Sequence, residues 1–272
     1  MTEEALFEDN KKLWDQRVPI HVASPFYGVE QFKWGSEVLH DFEIEEVGDV
    51  RGLSLVHLQC HFGMDSLGWA RHGAAVTGLD ISTRGVEAAQ ALADEMGIDA
   101  RFVTANVYDA VSALGETYDI VYTGRGALNW LPDITRWARV VNSLLKPGGF
   151  LYLSEFHPIA EAMADESVTM EYDYFGRAEG YPSDSSGETY TETGERTEHT
   201  RSIEWIHPTS AVLTSLLDVG LVLGSFREYD FSAFGRFPFL ECENDGIRRV
   251  YRMPEDRPNL PLMYSIMAHK PE

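Results

Sequence analysis

The run His57-Leu58-Gln59-Cys60-His61-Phe62-Gly63 closes one apolar stretch and opens a helical one, and Asp80 closes the next apolar stretch. A strand-to-helix turn aims backbone N–H groups that lack partners at whatever lies in front of it. A carboxylate at the end of the following strand can accept from both hydroxyls of a ribose. The two features together imply a nucleoside-containing cofactor. A dinucleotide needs G-x-G-x-x-G, so that the backbone can approach a pyrophosphate. Here Gly63 is the only glycine of the turn, and Gln59, Cys60 and His61 stand where others would be needed. A cofactor with a ribose and no pyrophosphate fits better. Taken alone, Asp80 could equally be a turn-capping carboxylate.

The elements that must position these groups are legible in the periodicity. From residue 53 the chain alternates apolar strand-like runs with helical patterns: strands over 53–58, 75–80, 100–104, 118–122 and 150–155, and helices over 63–72, 83–96 and 134–145. Lys146-Pro147-Gly148-Gly149 carries stop residues after the last of these helices. Such alternation means parallel strands joined by right-handed crossovers, with helices on both faces of an open, doubly wound α/β sheet. Ligands then bind at the carboxyl ends of the strands. Residues 1–50 read as an aromatic-rich cap segment, with a short amphipathic helix around Leu6, Leu13 and Trp14 and a loop over 18–35. Residues 51–158 read as the cofactor-binding core. Residues 159–207 hold 12 acidic and 3 basic residues. They read as an inserted antiparallel hairpin region, with strands at 189–193 and 201–205 around Gly194, lying over the site edge; the alternative is a flexible acidic loop. Residues 208–272 return to the same sheet, with a helix over 209–219 and strands over 221–231 and 262–268 that pair antiparallel.

Composition narrows the partners. With 44 acidic and 22 basic residues the chain carries a net charge of −22, which repels phosphate backbones and anionic membranes. A small-molecule substrate is expected instead. The acidity serves solubility, or reflects a salt-rich cytoplasm, in which case stability should rise from low to molar KCl. Cys60 and Cys242 form no C-x-x-C pair, so neither a Cys-based metal site nor a disulfide framework is expected. There is no basic-then-apolar leader and no apolar run of membrane-span length, so a cytoplasmic location is expected.

Residues 55–67, Leu-Val-His-Leu-Gln-Cys-His-Phe-Gly-Met-Asp-Ser-Leu, resemble the glycine-loop motif of class I S-adenosylmethionine-dependent methyltransferases, and are most similar to a branch with the loop His-Leu-Gln-Cys-His-Phe-Gly. Val76-Thr77-Gly78-Leu79-Asp80, Ala127-Leu128-Asn129-Trp130-Leu131-Pro132-Asp133, Leu145-Lys146-Pro147-Gly148-Gly149 and Glu155-Phe156-His157-Pro158 extend the likeness over roughly residues 50–160. The resemblance implies a Rossmann-like sheet of seven strands with an antiparallel final strand, S-adenosylmethionine as cofactor, and methyl transfer by in-line displacement. It implies that Gln59, Cys60, His61 and Gly63 wrap the methionine part, that Asp80 holds the ribose and that Ile81 touches the adenine. Asn106 and Val107 follow the third strand. Many members have an acid at Asn106 that accepts from the adenine amino group, a role an amide oxygen can also take. Thr123 and Gly124 would lie beside the sulfonium. The family often has two or three glycines in the first loop, and this chain has one.

Methyl transfer depends chiefly on alignment, and a weakly acidic nucleophile also needs a base. His157, at the end of the fifth strand, is the candidate, oriented by Glu155; its plain alternative is to end the strand before Pro158. His21, Tyr27, Trp14 and Trp130 are candidate lid or pocket residues, or simply core aromatics. His207 is expected to cap or pack on the following helix. A nicotinamide-dependent reductase and a non-catalytic cofactor-binding module remain as other readings.

Overall fold

The computed structural model describes residues 3–191, 193–243 and 246–272. Helices α1 (Glu3–Ala23), α2 (Val29–Lys33) and α3 (Asp41–Val47) precede the first strand. The alternating core follows as β1 (Ser54–Leu58), α4 (Met64–Arg71), β2 (Ala75–Asp80), α5 (Thr83–Met96), β3 (Ala100–Thr104), α6 (Ala110–Leu114), β4 (Tyr118–Thr123), α7 (Ile134–Leu144) and β5 (Leu145–Phe156). After the short α8 (Pro158–Glu161) come β6 (Tyr181–Asp184), β7 (Arg201–Glu204), α9 (Thr209–Asp218), β8 (Val222–Tyr229), β9 (Phe231–Ser232), β10 (Glu241–Cys242), β11 (Tyr251–Arg252) and β12 (Met263–His269).

Seven strands form one sheet in the order β3-β2-β1-β4-β5-β12-β8. β1 to β5 are parallel, and β12 is antiparallel to both β5 and β8. Alternate strand residues feed two apolar layers, as period-2 side-chain geometry requires. Val56 and Leu58 join Trp137, Leu144 and Val212 on one face, and Leu55 joins Trp69, Leu92 and Phe32 on the other. The order reverses between β1 and β4, which opens a crevice at the carboxyl ends of β1, β2 and β4.

Four expectations need correction. The N-terminal helix is not short: α1 runs for 21 residues, through Pro19 and His21, where a loop was expected. The bond that Pro19 cannot donate is offset by docking on either side of it. Val18, Ile20 and His21 are buried, and Asp15 accepts from Ser82 Oγ at 2.7 Å and from the Arg84 N–H at 3.1 Å. β5 begins at Leu145 rather than Phe150, because Leu145 pairs Tyr118 while Phe150 pairs Ile120. The extra residues 146–149 form an irregularity opposite Asp119, not a break. In the insertion the strand partner of β7 is β6, residues 181–184, rather than 189–193; of the latter segment, Glu192 lies outside the described residues. Finally, the strand expected over 221–231 ends at Tyr229, and β9, β10 and β11 form a separate three-stranded sheet between β8 and β12.

Candidate active site

A cavity of about 440 Å³ occupies the crevice. Gln59, Cys60, His61, Gly63, Asp80, Ile81, Asn106, Val107 and Gly124 all line it, as do Trp14, Tyr27 and Trp130. The loop between β1 and α4 is held in a conformation that side chains resist. Gln59 has φ 59° and His61 has φ 53°, both in the left-handed region. A non-glycine residue there costs about 1–2 kcal/mol. Two contacts hold it in place. Gln59 Nε2 donates to the Ala127 carbonyl at 2.8 Å, and the His61 N–H donates to Asp80 Oδ2 at 2.8 Å. Gly63, at φ 80°, caps the N-terminus of α4; a Cβ there would lie 2.7 Å from Ala89 Cβ and 2.8 Å from the Phe102 ring.

Asp80 Oδ1 also accepts from the Ser82 N–H at 2.8 Å. Each oxygen therefore keeps a further lone pair, and burial pushes the carboxyl up to about 6 against those two backbone bonds. Ile81 and Val107 form apolar wall. The Asn106 amide oxygen accepts from the Tyr108 N–H at 3.0 Å, so one of its two acceptor positions is already committed. Gln59 Oε1 is buried without a partner. Thr123 does not line the cavity: it is fully buried one residue behind Gly124.

The proposed acid–base pair is not assembled. His157 caps α8, its Nδ1 accepting from the Ile159 N–H at 3.2 Å, and its Nε2 lies 2.9 Å from Glu228 Oε1. It lines no part of the cavity. Glu155 turns to the loop after β4, where it accepts from the N–H groups of Gly126, Ala127 (2.8 Å) and Leu128 (3.0 Å), besides that of Phe156. A carboxylate with this many donors shapes a loop and does not orient an imidazole. His207 does not cap α9 either; its Nε2 meets the Leu131 carbonyl at 2.8 Å.

The cap segment closes the cavity on the side of the loop between β1 and α4. Asn10 exchanges two hydrogen bonds with the backbone of Ile203 in β7, at 3.0 Å each, so α1 bridges the core and the insertion. Trp14 packs edge-on against His61 and Trp130. His21 is fully buried and lies behind the wall, its Nδ1 3.0 Å from His61 Nε2, and Tyr27 shares a short hydroxyl–hydroxyl bond with Tyr190 of the insertion. Burial, the charge of His61 and that of Arg17 push His21 down to about 2, so it is neutral.

Several cavity residues escaped sequence reasoning. Arg125 bridges the fully buried Glu43 and, at 2.9 Å, Asp65; Tyr122 also donates to Glu43 at 2.8 Å. Burial, with Glu43 and Glu37 adding to it, pushes Asp65 up to about 6 despite Arg125. Arg17 of α1 stacks over Trp14, and its Nε is buried without a partner. Glu161, Glu204, Phe156, Phe234 and Tyr190 also line the cavity. No spacing pattern links these residues in the chain; the density of acidic residues after 158 was the one available signal.

The sheet order, with its antiparallel β12 inserted beside β5, and a crevice framed by a strained turn and a strand-end acid define the fold of the S-adenosylmethionine-dependent methyltransferases. Solved structures share it: a methyltransferase of that kind from Mesorhizobium loti (TM-score 0.54, 22% identity, 82% of this chain and 93% of that one) and one from Clostridium acetobutylicum (TM-score 0.57, 13% identity, 93% and 97%). Residues 56–151 match the family described as a methyltransferase domain. A relative in sequence is a ubiquinone biosynthesis O-methyltransferase from Photorhabdus laumondii, 30% identical over 132 residues, which is 48% of this chain and 55% of that protein. The chain thus spans about half the length of that relative.

Proposed function

We propose that the chain is an S-adenosylmethionine-dependent methyltransferase acting on a small molecule, and that the crevice between the Gln59–Gly63 turn and Asp80 binds the cofactor. The observation that carries this is Asp80: its carboxylate braces the turn through His61 and retains acceptor capacity on a cavity wall. The group fits the residues present. Asp80 would hold the ribose hydroxyls, Ile81 and Val107 would flank the adenine with Asn106 at its edge, and the partnerless Gln59 Oε1 would accept from the methionine ammonium. His61, Cys60 and Gly63 would follow the methionine chain, with Gly124 near the sulfonium. When bound, the cofactor supplies an electrophilic methyl group. This chain's own residues fix its orientation and exclude water, with Trp14, Tyr27 and Trp130 closing the mouth.

The same turn disfavours the nicotinamide reading. A pyrophosphate needs the backbone approach that glycines allow, and Gln59 and His61 carry side chains at both left-handed positions. The net charge of −22 supports a small acceptor over a nucleic acid. The sequence relative from Photorhabdus laumondii is an O-methyltransferase, and an oxygen acceptor is the reading we favour. Among the described residues no helix is long and apolar enough to cross a membrane. Parallel calorimetric titrations with S-adenosylmethionine, S-adenosylhomocysteine and NADH test the assignment. Saturable binding of the first two alone is expected; binding of NADH alone, or of none, would sink it.

A further inference from the structure

The cavity extends beyond what Asp80 and the turn can contact, toward the end of β5 and the insertion. That end is walled by Phe156, Phe234 and Tyr190, with Glu161 from α8, Glu204 from β7 and Asn129 from the loop after β4. β5 lies directly beside β4, so α8 begins next to the Gly124–Gly126 segment. Asn129 Nδ2 donates to Glu204 Oε2 at 2.9 Å, while the Asn129 amide oxygen is buried without a partner. A polar atom left in that state costs about 1–3 kcal/mol unless a ligand or water meets it.

Among the bases on the cavity wall, most are already engaged. His57 meets Ser66 Oγ at 2.8 Å, and burial with Arg125 beside it pushes it down to about 3. His61 meets His21. Asp65 pairs with Arg125, Asp80 takes two backbone N–H groups, and Glu204 takes Asn129. Glu161 differs. Among the described residues no hydrogen bond holds its carboxyl, and its near cation, Arg236 Nε, is 3.8 Å away. That arginine is itself occupied by Asp165 and, at 3.0 Å, by the Met163 carbonyl.

We infer that this end of the cavity receives a neutral acceptor bearing a hydroxyl on an apolar or aromatic frame, and that Glu161 is the catalytic residue that takes the hydroxyl proton. The inference rests on the methyl-transfer reading above. In the step, the acceptor oxygen forms a bond to the methyl carbon and the methyl–sulfur bond breaks. Its electron pair stays on sulfur to give S-adenosylhomocysteine, and the hydroxyl proton passes to the Glu161 carboxylate. The charges argue for a neutral acceptor. Of the charged residues that line this end, Arg17 and Arg236 match Glu161 and Glu204 in number, while Asp165 and Glu155 lie outside the lining, engaged by Arg236 and by backbone N–H groups respectively. The groups facing Glu161 are Arg236, Glu204, Glu155 and Asp165; burial and the three acids together outweigh Arg236 and push Glu161 up to about 7, where a carboxylate is a competent base at neutral pH.

The test uses the full chain saturated with S-adenosylmethionine, with catechol as a neutral probe and dopamine as its cationic counterpart, and follows S-adenosylhomocysteine release from pH 5.5 to 8.5. Catechol turnover should rise with pH and level off above about 7. Glu161→Gln should lower kcat by about 100-fold or more, leave the cofactor Kd unchanged, and leave a residual rate that climbs with the ionisation of catechol itself. Glu161→Asp should restore part of the rate. A Glu161→Gln protein with the parent kcat and pH profile would overturn the inference. So would a preference for dopamine, or failure of catechol to bind the S-adenosylhomocysteine complex in a calorimeter. Absence of cofactor binding by the parent protein would instead remove the methyl-transfer reading itself.

Discussion

Replacing Asp80 by Asn tests the cofactor assignment and the loop geometry together. The side chain keeps its size, and the amide retains one acceptor oxygen where the carboxylate has two. In the parent, one oxygen serves the His61 N–H and the other the Ser82 N–H, both at 2.8 Å. The amide can serve only one of these and presents its NH₂ to the other. On the proposed assignment, a ribose diol would donate two hydrogen bonds to the parent carboxylate. At about 1.5–3 kcal/mol per bond to a charged group, the variant should lose roughly 3–6 kcal/mol of cofactor binding. That is a rise in Kd of about 10² to 10⁴. The pH dependence gives a second measure. Burial holds the parent Asp80 at about 6, so the binding-competent carboxylate is about 90% formed at pH 7 and about 10% at pH 5. The parent should therefore lose about tenfold in affinity over that range and release about half a proton on binding at pH 6, rising toward one at pH 5, while Asp80→Asn should be flat. Folding is a poor confounder. Because the folded pKa lies above the unfolded one, ionisation of Asp80 costs the fold stability as pH rises past about 4, and removing that charge offsets the lost N–H bond. The assay is calorimetry with S-adenosylhomocysteine at pH 5, 6 and 7, with circular dichroism as a check on folding. A variant Kd within about threefold of the parent, or a parent Kd indifferent to pH, would refute the reasoning.

Three further outcomes follow from single contacts. Gly63→Ala places a Cβ 2.7 Å from Ala89 Cβ and 2.8 Å from the Phe102 ring at φ 80°, and should cost about 2–4 kcal/mol in a denaturant melt, with weakened cofactor binding. Arg125→Met strands the buried Glu43 and should destabilise by about 3–5 kcal/mol, whereas the double change Arg125→Met with Glu43→Gln should recover most of that. His21, pushed down to about 2, has a folded pKa below its unfolded value, so its contribution is fully present above about pH 6.5 and is lost as pH falls. By pH 5 that loss is about 2 kcal/mol, and His21→Gln should show a shallower decline in melting temperature between pH 7 and 5; parallel declines would count against it.

The parallel core was legible because β1, β2, β4 and the second half of β5 are largely buried on both faces and α5 and α7 are amphipathic, so each announces itself locally. Helix α5 and strand β3 have the limits that periodicity gives. The parts that were not legible are those set by contact across long sequence distances. Pro19 reads as a helix breaker until Asp15 is seen docked on Ser82 and Arg84. Residues 189–193 alternate like a strand, yet Tyr190 is drawn to Tyr27 and the pairing edge of β7 goes to 181–184. His157 stands at the right place in the chain for a base, but a Pro-initiated helix turn claims its Nδ1 and Glu228 its Nε2. Position along a strand shows which residues reach the sheet edge. It does not show which way a side chain turns once the strand has ended.

The loop between β1 and α4 depends on distant contacts in the same way. A sequence with one glycine in the turn looks unable to make the bends that nucleoside-binding loops need. The bends are made all the same, at Gln59 and His61, at a cost of about 1–2 kcal/mol each. What offsets the cost are contacts glycine could not supply: the Gln59 amide bound to Ala127 on the neighbouring strand's loop, and the His61 ring packed among Trp14, Tyr27 and Phe62 and joined to His21. The loop is thereby tied to the β4 side of the crevice and to the cap helix at once. A glycine at either position would relax the backbone and release one of those ties. Scarcity of glycine here therefore marks a turn made rigid by its side chains, and the cap segment supports that turn because the His61 ring packs against Trp14 and Tyr27.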